Sequence, residues 1–83
     1  MKRFEIGMLV KSIAGHDAGN VYIIVDTDPQ FVYLVDGKIR TLNRPKRKKR
    51  KHLQPILKQY NLSNADDTAI KRILKEWNKE EGK

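Results

Sequence analysis

A chain of 83 residues with 39% apolar content, no cysteine and a net charge of +8 is one small domain with at most one appended element. It buries only roughly 60% of the surface its unfolded form exposes, so its core is marginal, and the absence of cysteine excludes a disulfide framework, a thiolate metal site and a cysteine nucleophile. The basic start Met1-Lys2-Arg3 meets an acid at Glu5 and leads into no signal-peptide apolar run and no membrane-length span, so a soluble, cytoplasmic protein is expected.

In chain order, Ile6 to Ile13, Asn20 to Thr27 and Phe31 to Asp36 are strand-length runs rich in β-branched and aromatic residues. Turn chemistry separates them: Gly15-His16-Asp17-Ala18-Gly19-Asn20 between the first two, and Asp26-Thr27-Asp28-Pro29-Gln30 between the next two. Asp36-Gly37-Lys38 is a hairpin signal that predicts a short fourth strand over Ile39 to Leu42. His52-Leu53-Gln54-Pro55 is expected to form a final strand whose proline suits a sheet edge, while Ile56 to Leu62 stays ambiguous. Ser63-Asn64-Ala65-Asp66-Asp67 offers a cap and first-turn negative charge. Beyond it Ala69, Ile70, Ile73, Leu74 and Trp77 recur at helical spacing, predicting an amphipathic helix from about Asn64 to Glu80, with Gly82 near its end.

The second and third strands are apolar on both faces, so one face fills a small barrel and the other needs a cover, which the helix supplies. The expected fold class is mainly β with a C-terminal helix: a small SH3-like barrel over residues 1–62, and residues 63–83 as the helix packed on its sheet.

Seven of the eight residues in Arg44-Pro45-Lys46-Arg47-Lys48-Lys49-Arg50-Lys51 are basic and none is acidic, so this octapeptide carries +7 of the net +8. Concentrating charge in this way is costly unless a polyanion neutralises it, and nucleic acid is the commonest polyanion inside cells. The alternative is a solvated linker that only keeps the chain soluble. Without ligand the run is expected to be disordered.

The stretch from Gly7 to Val25, a strand, a Gly15-His16-Asp17-Ala18-Gly19 turn and a second hydrophobic strand, resembles a KOW motif. Phe31-Val32-Tyr33-Leu34-Val35-Asp36-Gly37-Lys38, followed by Arg40, resembles a segment of the L fourteen e group of ribosomal proteins. The lysine-rich run, His52 to Pro55 and the C-terminal helix extend the likeness, especially to small bacterial KOW members, over nearly the whole chain. The resemblance implies a KOW-type barrel that binds RNA, with ribosomal RNA and ribosomal proteins as partners. The chain is shorter than most ribosomal members, which leaves an accessory factor open beside a constitutive subunit.

Arg44, Lys46, Arg47, Lys48, Lys49, Arg50 and Lys51 are the expected RNA-binding residues, with Lys11, Lys38 and Arg40 widening the patch onto the barrel. The resemblance adds weight to Lys11 and to His16 in the turn. Arginines suit forked phosphate or base contacts and lysines act as point charges. Six phosphate contacts to single-stranded RNA would give a salt slope of roughly −4, at ~−0.7 per contact. Tyr22, Phe31 and Tyr33 lie in apolar runs and are expected in the core, and Trp77 is read as the helix's docking anchor; Tyr60 has no assigned role.

No catalytic activity, cofactor or metal is expected. His16 and His52 have no nucleophile at a recognisable spacing, Asp26 to Pro29 reads as a turn, no Walker-type phosphate loop occurs, and a barrel this small is expected to lack a deep pocket of ~300 Å³ or more. An RNA-binding, translation-associated monomer is therefore the first reading. A transcription-linked KOW module that binds DNA or protein is the second, and a protein-interaction domain for an acidic partner the third.

Overall fold

The computed structural model describes residues 4–81, the side chains of residues 57, 80 and 81 excepted; Gly82, expected near the helix end, lies outside them. Strands β1 (Met8–Ser12), β2 (Val21–Thr27), β3 (Phe31–Val35), β4 (Lys46–Lys49) and β5 (Leu53–Gln59) precede one helix, α1 (Asp67–Glu81), and a 3-10 turn, Arg50–His52, links β4 to β5. All pairings are antiparallel, in the order β4-β3-β2-β1-β5.

Period-2 alternation sorts the strands' apolar residues onto two faces. Val10, Tyr22, Ile24, Val32, Leu34 and Leu53 form one buried cluster, with Phe4 and Met8 packed against it. Leu9, Ile23 and Val35 point the other way and are covered by Ile70 and Leu74 of α1, flanked by Ile73 and Trp77. The sheet is thus the half-barrel of a small SH3-like fold, filled on its concave side and roofed by the helix on the other. Register shifts between Met8 and Val10, and between Ile24 and Asp26, are the irregularities by which a sheet this short bends.

Several local expectations are corrected. Ile39 to Leu42 is not a strand. The Asp36 carboxylate accepts the amide hydrogens of Lys38 and Arg40, both at 2.9 Å, which closes a local turn that competes with a ladder. Ile39 is left 82% exposed. The chain instead crosses to the helix, where the Leu42 N–H donates to Asp67 Oδ1 at 2.8 Å. The fourth strand is the basic run itself: Lys46 to Lys49 pair with Leu34 to Phe31. An edge position explains this choice, since edge strands favour lysine and its aliphatic stem lies readily along a sheet. The run is therefore a strand and a 3-10 turn rather than disordered.

The helix begins at Asp67, and its cap is Asp66, whose Oδ1 accepts the Ala69 N–H at 2.8 Å. The apolar stripe holds Ile70, Ile73, Leu74 and Trp77, and the residue that joins it upstream is Ala65 rather than Ala69. Ile56, in the ambiguous segment, belongs to β5. Tyr60 is half-buried against the helix-side cluster and donates its N–H to the Gly7 carbonyl at 2.8 Å. Pro55 sits on the other edge strand, opposite Val10, where a missing donor is tolerated.

Candidate nucleic-acid interface

The pleat of β4 divides the basic run. Lys46 and Lys48 stand opposite Leu34 and Val32, both part of the barrel interior, whereas Arg47 and Lys49 stand opposite Tyr33 and Phe31. Two cations are thus drawn inward and two are turned out.

The inward pair closes on the β1–β2 turn. Lys48 Nζ donates to Asp17 Oδ1 at 2.6 Å and to the Ala14 carbonyl at 2.9 Å. Lys46 Nζ lies 2.9 Å from Asp17 Oδ2. The buried Ser12 hydroxyl donates to Asp17 Oδ1 at 2.9 Å, and the Tyr22 hydroxyl approaches Oδ2 at 3.4 Å. Side-chain exposure is only 9% for Lys48 and 10% for Asp17. Burial alone would raise the Asp17 pKa, but the hydrogen bonds from Lys48, then Lys46 and Ser12, outweigh it and hold the carboxyl far below the usual carboxylate range. The Lys48 amine, expected among the phosphate contacts, thus sits inside the protein on Asp17 and the Ala14 carbonyl, and Lys46 shares that carboxylate. His16, also expected to touch RNA, is exposed in the turn that this clasp fixes. Gly15 and Gly19 flank the turn at φ of 85° and 94°, the conformation that glycine adopts freely.

The outward face is different. Arg47 is exposed, and its guanidinium carbon lies 4.5 Å from the centroid of the Phe31 ring, a cation–π contact across the diagonal of the β3–β4 pair. Phe31 and Tyr33 are half-buried on this side rather than in the core, while Tyr22 is buried as expected. Beside the ring lies an open cleft of about 540 Å³, lined by Gln30, Phe31, Lys49, Arg50 and Lys51. Asp28 orders the turn that carries Gln30 and Phe31. The Asp28 carboxylate accepts the Tyr33 hydroxyl at 2.6 Å and the Phe31 and Gln30 amides at 2.7 and 2.9 Å. These bonds, the Tyr33 hydroxyl first, lower its pKa, and the same hydroxyl bond raises that of Tyr33. Turn formation thus accounts for Asp28. Arg50 Nη2 donates to the Asp28 carbonyl, while the shielded Nη1 meets no acceptor among the described residues.

The remaining expected residues stand elsewhere. Arg44 is exposed just ahead of β4. Lys11 is exposed on β1, opposite Gln54 and Val21. Arg40 is half-buried, its carbonyl accepting the Asp36 and Gly37 amides. Lys38 lies with Lys71 and Lys75 of α1 along a second cleft of about 490 Å³ that also contains Asn20 and Asn78. These two helix lysines escaped the sequence reading because only the docked helix brings them to Lys38. Clefts of this size exceed what so small a barrel was expected to offer, yet they are open grooves at element junctions. Among the described residues no group of three or more His, Cys, Asp or Glu could hold a metal ion, and no helix is long and apolar enough to cross a membrane.

No family model matches the chain. Among curated proteins it is similar to the large ribosomal subunit protein eL14 of Staphylothermus marinus, with 33% identity over 76 residues, covering 89% of this chain and 79% of the relative.

Proposed function

The chain belongs to the family of the large ribosomal subunit protein eL14, and from that premise we propose that it is a cytoplasmic, ribosome-associated RNA-binding protein with a KOW-type barrel, non-enzymatic and monomeric, whose main partner is ribosomal RNA. The observation that supports the binding mode is the split of β4. Arg44, Arg47, Lys49 and Lys51 are exposed and make no ion pair among the described residues. They place cations on β4 and its flanks, and each one that neutralises a phosphate releases condensed counterions. Pairing of β4 with β3 favours binding further, because the backbone of Arg47 and Lys49 is held by a strand ladder.

With Lys48 held in the clasp and Lys46 sharing its carboxylate, the expected number of phosphate contacts falls. Four outward contacts give a slope of log K against log salt of roughly −3, at ~−0.7 each. The test is titration of ribosomal RNA fragments with the wild-type protein and with a variant carrying Arg47→Ser, Lys49→Ser and Lys51→Ser. Salt-dependent binding by the wild type, lost in the variant at an unchanged thermal midpoint, is the expected result. Equal binding by both proteins, or no wild-type complex near physiological ionic strength, would overturn the proposal. Sedimentation with large ribosomal subunits at low salt, released at high salt, checks the association itself.

A further inference from the structure

Phosphate attraction leaves one part of the outward face unused. The Arg47 guanidinium lies over the Phe31 ring at 4.5 Å. Arg47 is itself an exposed residue. Beside this stack, the cleft of about 540 Å³ offers the Gln30 amide, which both donates and accepts, with Lys49, Lys51 and Arg50 around it. Arg50 is anchored through Nη2 to the Asp28 carbonyl, which holds its side chain at the edge of this cleft.

From this arrangement we infer that the Arg47–Phe31 stack and the adjoining cleft form a site for one unpaired nucleotide, with its base stacked on the Arg47 plane and its phosphate among Lys49, Lys51 and Arg50. The inference rests on the RNA-binding reading and narrows it from RNA in general to RNA with an extruded base. Every base has a flat face to offer, so the site selects on structure rather than sequence, and stacking on an arginine plane is one way proteins hold splayed-out bases. A continuous duplex keeps its bases stacked on one another, so it reaches the cations through its phosphates alone and leaves the platform idle.

Preorganisation supports this reading. The Phe31 backbone is held in place, since its amide and the Gln30 amide both donate to Asp28. Arg47 is fixed by its ladder position opposite Tyr33. The strand pair therefore places the two residues on the diagonal from which ring and guanidinium meet.

The experiment compares two RNA hairpins with identical paired stems, one carrying a single bulged 2-aminopurine, against the wild type and Arg47→Lys. Lysine keeps the charge and loses the plane. The wild type is expected to prefer the bulged hairpin by about tenfold or more, given the usual contribution of one stacked base, and to quench the bulge fluorescence. Arg47→Lys is expected to show a bulge preference of only about twofold, read as the ratio of its own affinities for the two hairpins, so that any change in its phosphate contacts cancels. Equal wild-type affinity for the two hairpins, or a preference retained by Arg47→Lys, would overturn the nucleotide site and leave the phosphate-binding reading standing. Failure of the wild type to bind either hairpin would overturn both.

Discussion

At the residue scale, Asp17 and Lys48 are partners of unequal dependence. If Asp17 is replaced by alanine, the Lys48 amine keeps only the Ala14 carbonyl in a position that is 9% exposed, and an uncompensated buried charge is among the costliest defects a small domain can carry. Asp17→Ala is expected to lose about 3 kcal/mol in urea denaturation. Lys48→Met is expected to lose less than about 1 kcal/mol, because a methionine fills the channel and Asp17 retains Lys46 and Ser12. Equal losses would show that the clasp is not organised around the carboxylate. The carboxyls of Asp17 and Asp28 both lie below their ordinary value of 3.8, so each titrates at lower pH in the folded than in the unfolded chain. Their stabilisation is therefore complete above the ordinary carboxylate range and is lost progressively as the pH falls below about 4 towards the folded-state values. Urea midpoints at pH 7 and pH 3 should differ in the wild type, and the difference should shrink in Asp17→Asn.

The same logic applies one level up, where single residues decide how elements begin and meet. Asp66→Ala removes the helix cap and is expected to cost about 1 kcal/mol, whereas Ser63→Ala, in the turn preceding α1, is expected to change stability by no more than a few tenths. Gly37 packs the β3–β4 connection closely against α1. Its φ is 78°, and a Cβ there would lie 2.4 Å from the Asp67 carbonyl oxygen and 2.8 Å from the Lys71 nitrogen. Gly37→Ala combines backbone strain with displacement of the helix and should lower stability by more than about 2 kcal/mol in thermal unfolding. Much of this architecture was legible in the sequence. Val21 to Val25 and Phe31 to Val35 declare themselves as strands through β-branched density, and Ile70, Ile73, Leu74 and Trp77 declare the helix through spacing. The errors came where local signals competed. Ser63 and Asp66 both offer caps, and Asp36-Gly37 promises a hairpin that the Asp36 side chain closes on itself. The charge of the basic run was plain, but its division was not, because Asp17 and Lys48 are 31 residues apart and only the folded sheet brings them together.

For the molecule as a whole, the basic run serves stability and recognition through alternate residues, and the two roles can be separated by substitution. Replacing all six residues from Lys46 to Lys51 by serine removes both lysines of the clasp and leaves Asp17 buried without its cations. The thermal midpoint of that variant is expected to fall by about 8 °C or more, since each kcal/mol is worth roughly 4–8 °C in a domain of this size. Restricting the changes to Arg47, Lys49 and Lys51 should leave it within about 2 °C, because exposed substitutions rarely matter to stability. Calorimetry of the two variants distinguishes an ordered edge strand from a passive tail. A further consequence of the strand's pleat concerns chemical reactivity. Side-chain exposure is 25% at Lys46 and 9% at Lys48, each facing the carboxylate, while Lys49 and Lys51 are open to water. An acylating reagent meeting this segment would modify the last two readily and spare Lys48 until the barrel opens. A tract of near-uniform composition would thus carry a built-in reporter of its own unfolding, readable by mass spectrometry at a single amine.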